Sequence, residues 1–196
     1  MSSSFVTSGS WGKPMPWRYG ATAIALHWLV ALLLIGQTSL GWYMMAVEHE
    51  PGADQYVVLH KSFGLMIATL FVVRLLWRLT HPRQPLPATV PRWESRLADV
   101  AQVLLYALMV VIPIVGYIGA SYSKSGVPFF GVPTPRWRTP DHDTAELFFG
   151  IHGALAWALV AVVALHAAGA LKHLLVDRDG VFRRMWPAAL ARRETP

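Results

Sequence analysis

Four apolar stretches, near Ala21–Met45, Tyr56–Leu79, Leu97–Tyr122 and Leu147–Leu175, occupy most of this 196-residue chain. Each is long enough to cross a hydrocarbon core, which takes about 20 residues of helix. In hydrocarbon a backbone N–H or C=O has no water to bond, so a spanning segment of this length must satisfy its polar groups internally as a helix. The chain is 54% hydrophobic and 14% charged, where a soluble domain carries about 25% charge. The pattern predicts an all-α membrane protein, a four-helix transmembrane up-down bundle. Its connections are short: Glu48–Gln55 is acidic, Thr80–Pro91 is rich in proline, and Ser123–Ala145 mixes proline with both charges. Residues 1–14 are expected to be a disordered tail with no cleaved signal peptide, residues 15–187 the transmembrane domain, and 188–196 a second tail. No repeat of fixed period is present.

Orientation follows from the basic residues. Of seventeen Lys and Arg, only Lys61, Lys124, Arg136 and Arg138 fall on the side opposite the N-terminus. Loops rich in Lys and Arg stay cytoplasmic, so both termini are predicted to be cytoplasmic. Trp17, Trp77, Trp93, Trp137 and Trp186 lie near the span ends, where indole rings favour the interface. The net charge of +6 therefore reads as membrane anchoring, and no nucleic-acid partner is expected.

Four of the eight histidines, His27, His60, His152 and His166, lie inside the apolar stretches, with His173 at the end of the fourth. His152 and His166 share the fourth; fourteen residues are nearly four turns, so both point from one face, about 21 Å apart along the axis. His27 lies just inside a helix that starts at the cytoplasmic side, and His60 just inside one that starts outside. Depth thus couples His60 with His152 and His27 with His166. An unpaired polar ring in hydrocarbon costs several kcal/mol, so such a histidine needs a ligand, a partner or a water path. With no cysteine, imidazole is the available transition-metal ligand, and thiolate-ligated haem and iron–sulfur clusters are excluded. Structural zinc wants four converging ligands, whereas two separated couples suit two haems, each between two axial histidines. Gly64, Gly153 and the run Ala167–Ala170 leave room beside the rings, although small residues also pack helices closely. His49, His81 and His142 read as surface residues. His173 follows His166 by seven residues on the same face, nearer the cytoplasmic side, and suits a substrate contact better than iron. Pro113 is expected to kink the third helix, which carries no histidine and reads as packing and a cavity wall.

The segments ALHWLVALLL around His27, VLHKSFG around His60, VRLLWRL around Arg74, GIHGALAWALVAVVALHAAGALKH across His152 to His173, and VDRDGVFRRM resemble the bacterial cytochrome b561 family from about Trp17 to Pro187. The resemblance implies a four-helix inner-membrane cytochrome with two haems b ligated by His27, His60, His152 and His166. It further implies an oxidoreductase that oxidises superoxide at the periplasmic face and reduces ubiquinone near the inner haem, with His173 at the quinone site. Bis-histidine ligation leaves no open iron position, so the haems would relay electrons without binding oxygen. Arg18, Arg74 and Lys172 are candidates for haem propionates or lipid phosphates. Lys61, beside His60, is the candidate for attracting superoxide, although the outer segments hold six acids against four bases. Two other functions remain open: a haem b subunit that relays electrons between a docked periplasmic redox partner and quinone, with Val127–Pro140 as a docking surface, and a haem-free scaffold or transporter.

Overall fold

A computed structural model of the chain describes residues 18–81, 86–87, 89–135 and 137–187. The tails expected over residues 1–14 and 188–196 lie outside the described residues, as do Trp17 and Arg136. Four long helices account for the fold: α1 (Ala21–Ala46), α2 (Asp54–Thr80), α3 (Arg92–Tyr122) and α4 (His142–Lys172). All four are long and apolar enough to cross a membrane. A π-helical turn, His173–Asp177, extends α4, and a short 3₁₀ turn spans Phe182–Arg184.

The helices outrun the apolar stretches where chemistry allows. α3 begins at Arg92, directly after Pro91, so its charged first turns continue the helix beyond the hydrophobic part. α4 begins at His142 because the Asp141 side chain accepts the Thr144 N–H at 3.0 Å, an N-cap bond that satisfies one orphan donor. Gly52, at φ 84°, makes the left-handed step that turns α1 into α2. α3 stays helical through Pro113.

The helices form two hairpins. α1 packs along α2, and α3 packs along α4. Tyr43 meets Tyr56 edge-on with ring centroids 4.9 Å apart, at the end of α1 and the start of α2. Glu94 at the start of α3 reaches Lys172 at the end of α4. Both hairpins are therefore antiparallel. Gly119 lets α3 and α4 close: a Cβ there would lie 2.9 Å from Phe149 Cδ1. Between hairpins, buried Phe71 of α2 rests on Tyr106 of α3 at 5.7 Å. Only a thin set of residues is fully buried among these long helices, chiefly Ile24, Val30, Ile67, Phe71, Ala101, Ala120 and Leu159.

The two ends of the described chain meet at one end of the bundle. The Trp28 indole donates to the Met185 carbonyl at 2.7 Å, Tyr19 N–H to the Arg184 carbonyl at 3.3 Å, and Arg18 to the Trp186 carbonyl. At the opposite end, the loop after α3 folds back onto α2. Ser62, fully buried, accepts the Phe130 N–H at 2.7 Å and donates to the Val58 carbonyl at 2.7 Å. Phe130 holds φ 46° and packs edge-on against Phe63 at 5.4 Å. Ser62→Ala leaves a Phe130 N–H unsatisfied, a loss of about 1–3 kcal/mol. The expected outcome is a lower unfolding midpoint in detergent and faster trypsin cleavage after Lys124; unchanged cleavage would show that the loop is held elsewhere.

Candidate functional site

α4 brings its two histidines between the hairpins. His166 faces His27 of α1 with ring centroids 6.3 Å apart and planes crossed at 71°. His152 faces His60 of α2 at 6.1 Å and 86°. These are the couples selected by depth. Two imidazoles sharing one metal through bonds of about 2 Å, with each ring centre about one ångström behind its nitrogen, have centroids about 6 Å apart. Both spacings fit a single metal held between the rings. Nothing lies within 4 Å of a Cβ built at Gly153 or Gly169, next to that face of α4. Both glycines are exposed, so their smallness answers to no neighbouring side chain. Gly64 differs: a Cβ there would meet Gln37 Nε2 at 3.2 Å, so its smallness accommodates an α1 side chain.

The hydrogen bonds decide which nitrogens are available. His152 Nδ1 lies 3.0 Å from the Ile112 carbonyl; a carbonyl only accepts, so Nδ1 is the N–H and Nε2 carries the free lone pair. This is the arrangement of a metal-ligating histidine, whose second nitrogen donates to a fixed acceptor. Gly116 makes it possible, since a Cβ there would lie 2.7 Å from His152 Nδ1. His60 Nδ1 is buried without a hydrogen-bond partner. Its ring edge leans on Gly41, where a Cβ would lie 3.1 Å from Cε1, and its backbone carbonyl accepts from Gln37 Nε2 at 2.8 Å. His27 Nδ1 sits 3.1 Å from Arg74 Nη2; guanidinium only donates, so here Nδ1 accepts.

Arg74 also borders a cavity of about 310 Å³ at the end of the bundle where the chain ends meet. Arg18, Arg78, Tyr19, Gln102 and Tyr106 line it, giving three guanidinium groups around one space. His81, exposed as its loop position suggested, lies at the rim of this cavity and stacks on Trp77 at 4.0 Å. His49 is exposed, and His142 is the first residue of α4. Lys172 is engaged nearby, bonded to Glu94 Oε1 at 2.9 Å and Asp177 Oδ2 at 2.7 Å. His173 opens the π-helical turn, where Nδ1 meets Asp179 Oδ2 at 2.7 Å and Asp177 Oδ2 at 3.2 Å. The structure therefore brings Arg18 and Arg74 together and places Lys172 and His173 in a separate charged cluster.

At the other end, Lys61 donates to Ser125 Oγ at 2.8 Å and to the Gly126 carbonyl at 2.9 Å, tying the loop beside His60. The Arg138 guanidinium lies 6.0 Å from the Tyr122 ring centre. Gln37, Tyr106 and Gln102 escaped the sequence reading. Only Gln37 carried a signal, as an amide in the middle of an apolar span, where a polar side chain needs a reason.

Comparison with known proteins agrees in extent with this architecture. The family described as prokaryotic cytochrome b561 matches residues 18–188, nearly all of the described chain. Cytochrome b561 homolog 2 of Escherichia coli strain K12 is 33% identical over 174 residues, covering 87% of this chain and 92% of that protein. Cytochrome b561 homolog 1 of the same organism is 25% identical over 177 residues, covering 87% and 97%. A Yersinia pestis protein named probable superoxide oxidase CybB is 30% identical over 173 residues, covering 87% and 96%. With four membrane-length helices and a family match across almost all of them, the chain belongs to the prokaryotic cytochrome b561 family of electron-transfer membrane proteins.

Proposed function

We propose that this protein binds two haems b, one between His27 and His166 and one between His60 and His152, and carries electrons from superoxide at the periplasmic face to ubiquinone near the inner haem. The observation that carries the reading is the pair of facing imidazoles at each level, 6.3 and 6.1 Å apart, the spacing of two rings on one metal. The basic excess at one end of the bundle supports a bacterial inner-membrane setting with both termini cytoplasmic. Bound haem supplies one-electron chemistry that no side chain here offers. The four histidines would hold the two haems, two imidazoles to each, and would leave dioxygen and peroxide no place on the metal.

The basic residues divide the remaining work. A ligating imidazole keeps its second nitrogen as a donor, so His27 as a ligand would not accept from Arg74. Arg74 and Arg18 line one cavity, where they would pair with a propionate carboxylate. Lys172 is already balanced by Glu94 and Asp177, and serves that end of the protein by holding α3 to α4. His173 donates through Nδ1 to Asp179, which orients the ring and leaves Nε2 to exchange a proton with a quinone headgroup. At the outer face, Lys61 places a positive charge next to His60, where it attracts an anion. The Yersinia relative's name supports superoxide as that anion. Two superoxide anions each lose one electron to become dioxygen, and one quinone gains two electrons and two protons.

Two outcomes are expected. A superoxide pulse reduces the haem of purified protein within the mixing time, and His173→Ala preserves this reduction while abolishing electron delivery to added ubiquinone. No reduction by superoxide would exclude it as donor, and undiminished quinone reduction by the variant would remove His173 from the acceptor site. Gly116→Ala displaces the His152 ring from the Ile112 carbonyl and lowers haem affinity at the outer level by about 10–100-fold, the usual loss with an outer-shell partner. Gly153→Ala, with open space around it, retains haem; equal retention in both variants, measured by absorbance after gel filtration, would count against the role of Gly116.

A further inference from the structure

Three guanidinium groups converge on the cavity at the end of the bundle where the chain ends meet: Arg18 from the start of the described chain, and Arg74 and Arg78 one turn apart on α2. Among the described residues no carboxylate lines this space. Each guanidinium finds a neutral acceptor instead: Arg18 the Trp186 carbonyl, Arg74 the His27 Nδ1 at 3.1 Å, and Arg78 the His81 carbonyl at 3.3 Å. No Asp or Glu among the described residues forms an ion pair with any of the three. A cleft lined by one sign of charge concentrates counter-ions. The surplus outlasts the proposed cofactor: even with Arg18 and Arg74 each on a propionate of the inner haem, Arg78 keeps its charge.

The surroundings select the anion. Arg78 lies in the last turn of α2, where Leu76, Trp77 and Leu79 are all exposed. In a bilayer these apolar side chains face lipid, so lipid reaches the helix right beside the guanidinium. Trp77, stacked on His81, marks the depth of the headgroups, where indole rings favour the interface. The bond to the His81 carbonyl uses Arg78 Nη1 alone and leaves Nη2 and Nε, a planar pair of donors suited to two oxygens of one phosphate. We propose that the mouth of this cavity binds the phosphate of an anionic lipid headgroup, held by Arg78 with His81 at the rim. The lipid neutralises the remaining charge at this end of the bundle and, by binding only the folded chain, stabilises it.

Native mass spectrometry of the haem-loaded protein in a neutral detergent, titrated with phosphatidylglycerol, reads bound lipid directly, and visible absorbance of the same samples follows the haem. Phosphatidylglycerol is expected to bind more tightly than phosphatidylcholine, whose choline brings another cation to the guanidiniums. Arg78→Gln is expected to weaken phosphatidylglycerol about five-fold, the usual contribution of one basic residue at an anionic headgroup, with haem content unchanged. Arg92→Gln, an exposed arginine at the same end but outside the cavity, leaves both unchanged. Equal binding of the two lipids, or equal weakening by Arg92→Gln, would reduce the effect to general surface charge and overturn the proposal. Loss of haem from Arg78→Gln would assign that guanidinium to a propionate and overturn it as well. Inorganic phosphate in excess is expected to leave the lipid in place; displacement would make the ligand a free anion and not a lipid.

Discussion

An imidazole in hydrocarbon must be answered by a partner, and the placement of four of them organises this molecule. Neither hairpin can meet the requirement alone. α3 has no histidine in its span, and α1 and α2 carry one each at opposite depths, so the couples form only across the gap between hairpins. α4 supplies both halves from one face. The thin buried core then makes physical sense: the hairpins meet through contacts such as Phe71 with Tyr106, and glycines lie directly against the rings of His60 and His152. A bundle built to fill itself with leucine would have no place for two facing ring pairs.

Support around those rings comes from the neighbouring helices, and it is asymmetric. The His60–His152 couple is approached from behind by glycines, Gly41 and Gly116, that let α1 and α3 come close to the rings. The His27–His166 couple lies near a cavity ringed by Arg18, Arg74 and Arg78, and Arg74 holds His27 directly. Neutral dipoles at one level and guanidinium charges at the other set different electrostatic surroundings for two otherwise equivalent sites. Burial makes each of these contacts stronger than it would be in water.

Much of this was legible in the chain. Hydropathy located all four helices, and helical phase with depth selected the couples that the structure brings together. It missed where polarity, and not hydropathy, sets a boundary: α3 starts at Arg92 because a helix continues happily into water, and α4 starts at His142 because Asp141 caps it. Contacts between distant segments were also invisible. Nothing local ties Gln37 to His60 or Lys172 to Glu94, which depend on how the two helices of a hairpin lie together, or Lys61 to Ser125, which depends on how the hairpins do. Pro113 announced a kink, yet the clearer contribution of its helix is the adjacent Ile112 carbonyl, a backbone group no side-chain pattern reports.

The central claim is that two histidine couples hold two haems, with α4 contributing to both. Haem b per chain, determined by pyridine haemochrome on purified protein, tests it most directly. The account predicts two haems in the native protein and one after either His152→Ala or His166→Ala. A single haem in the native protein, or two retained after either substitution, would contradict it.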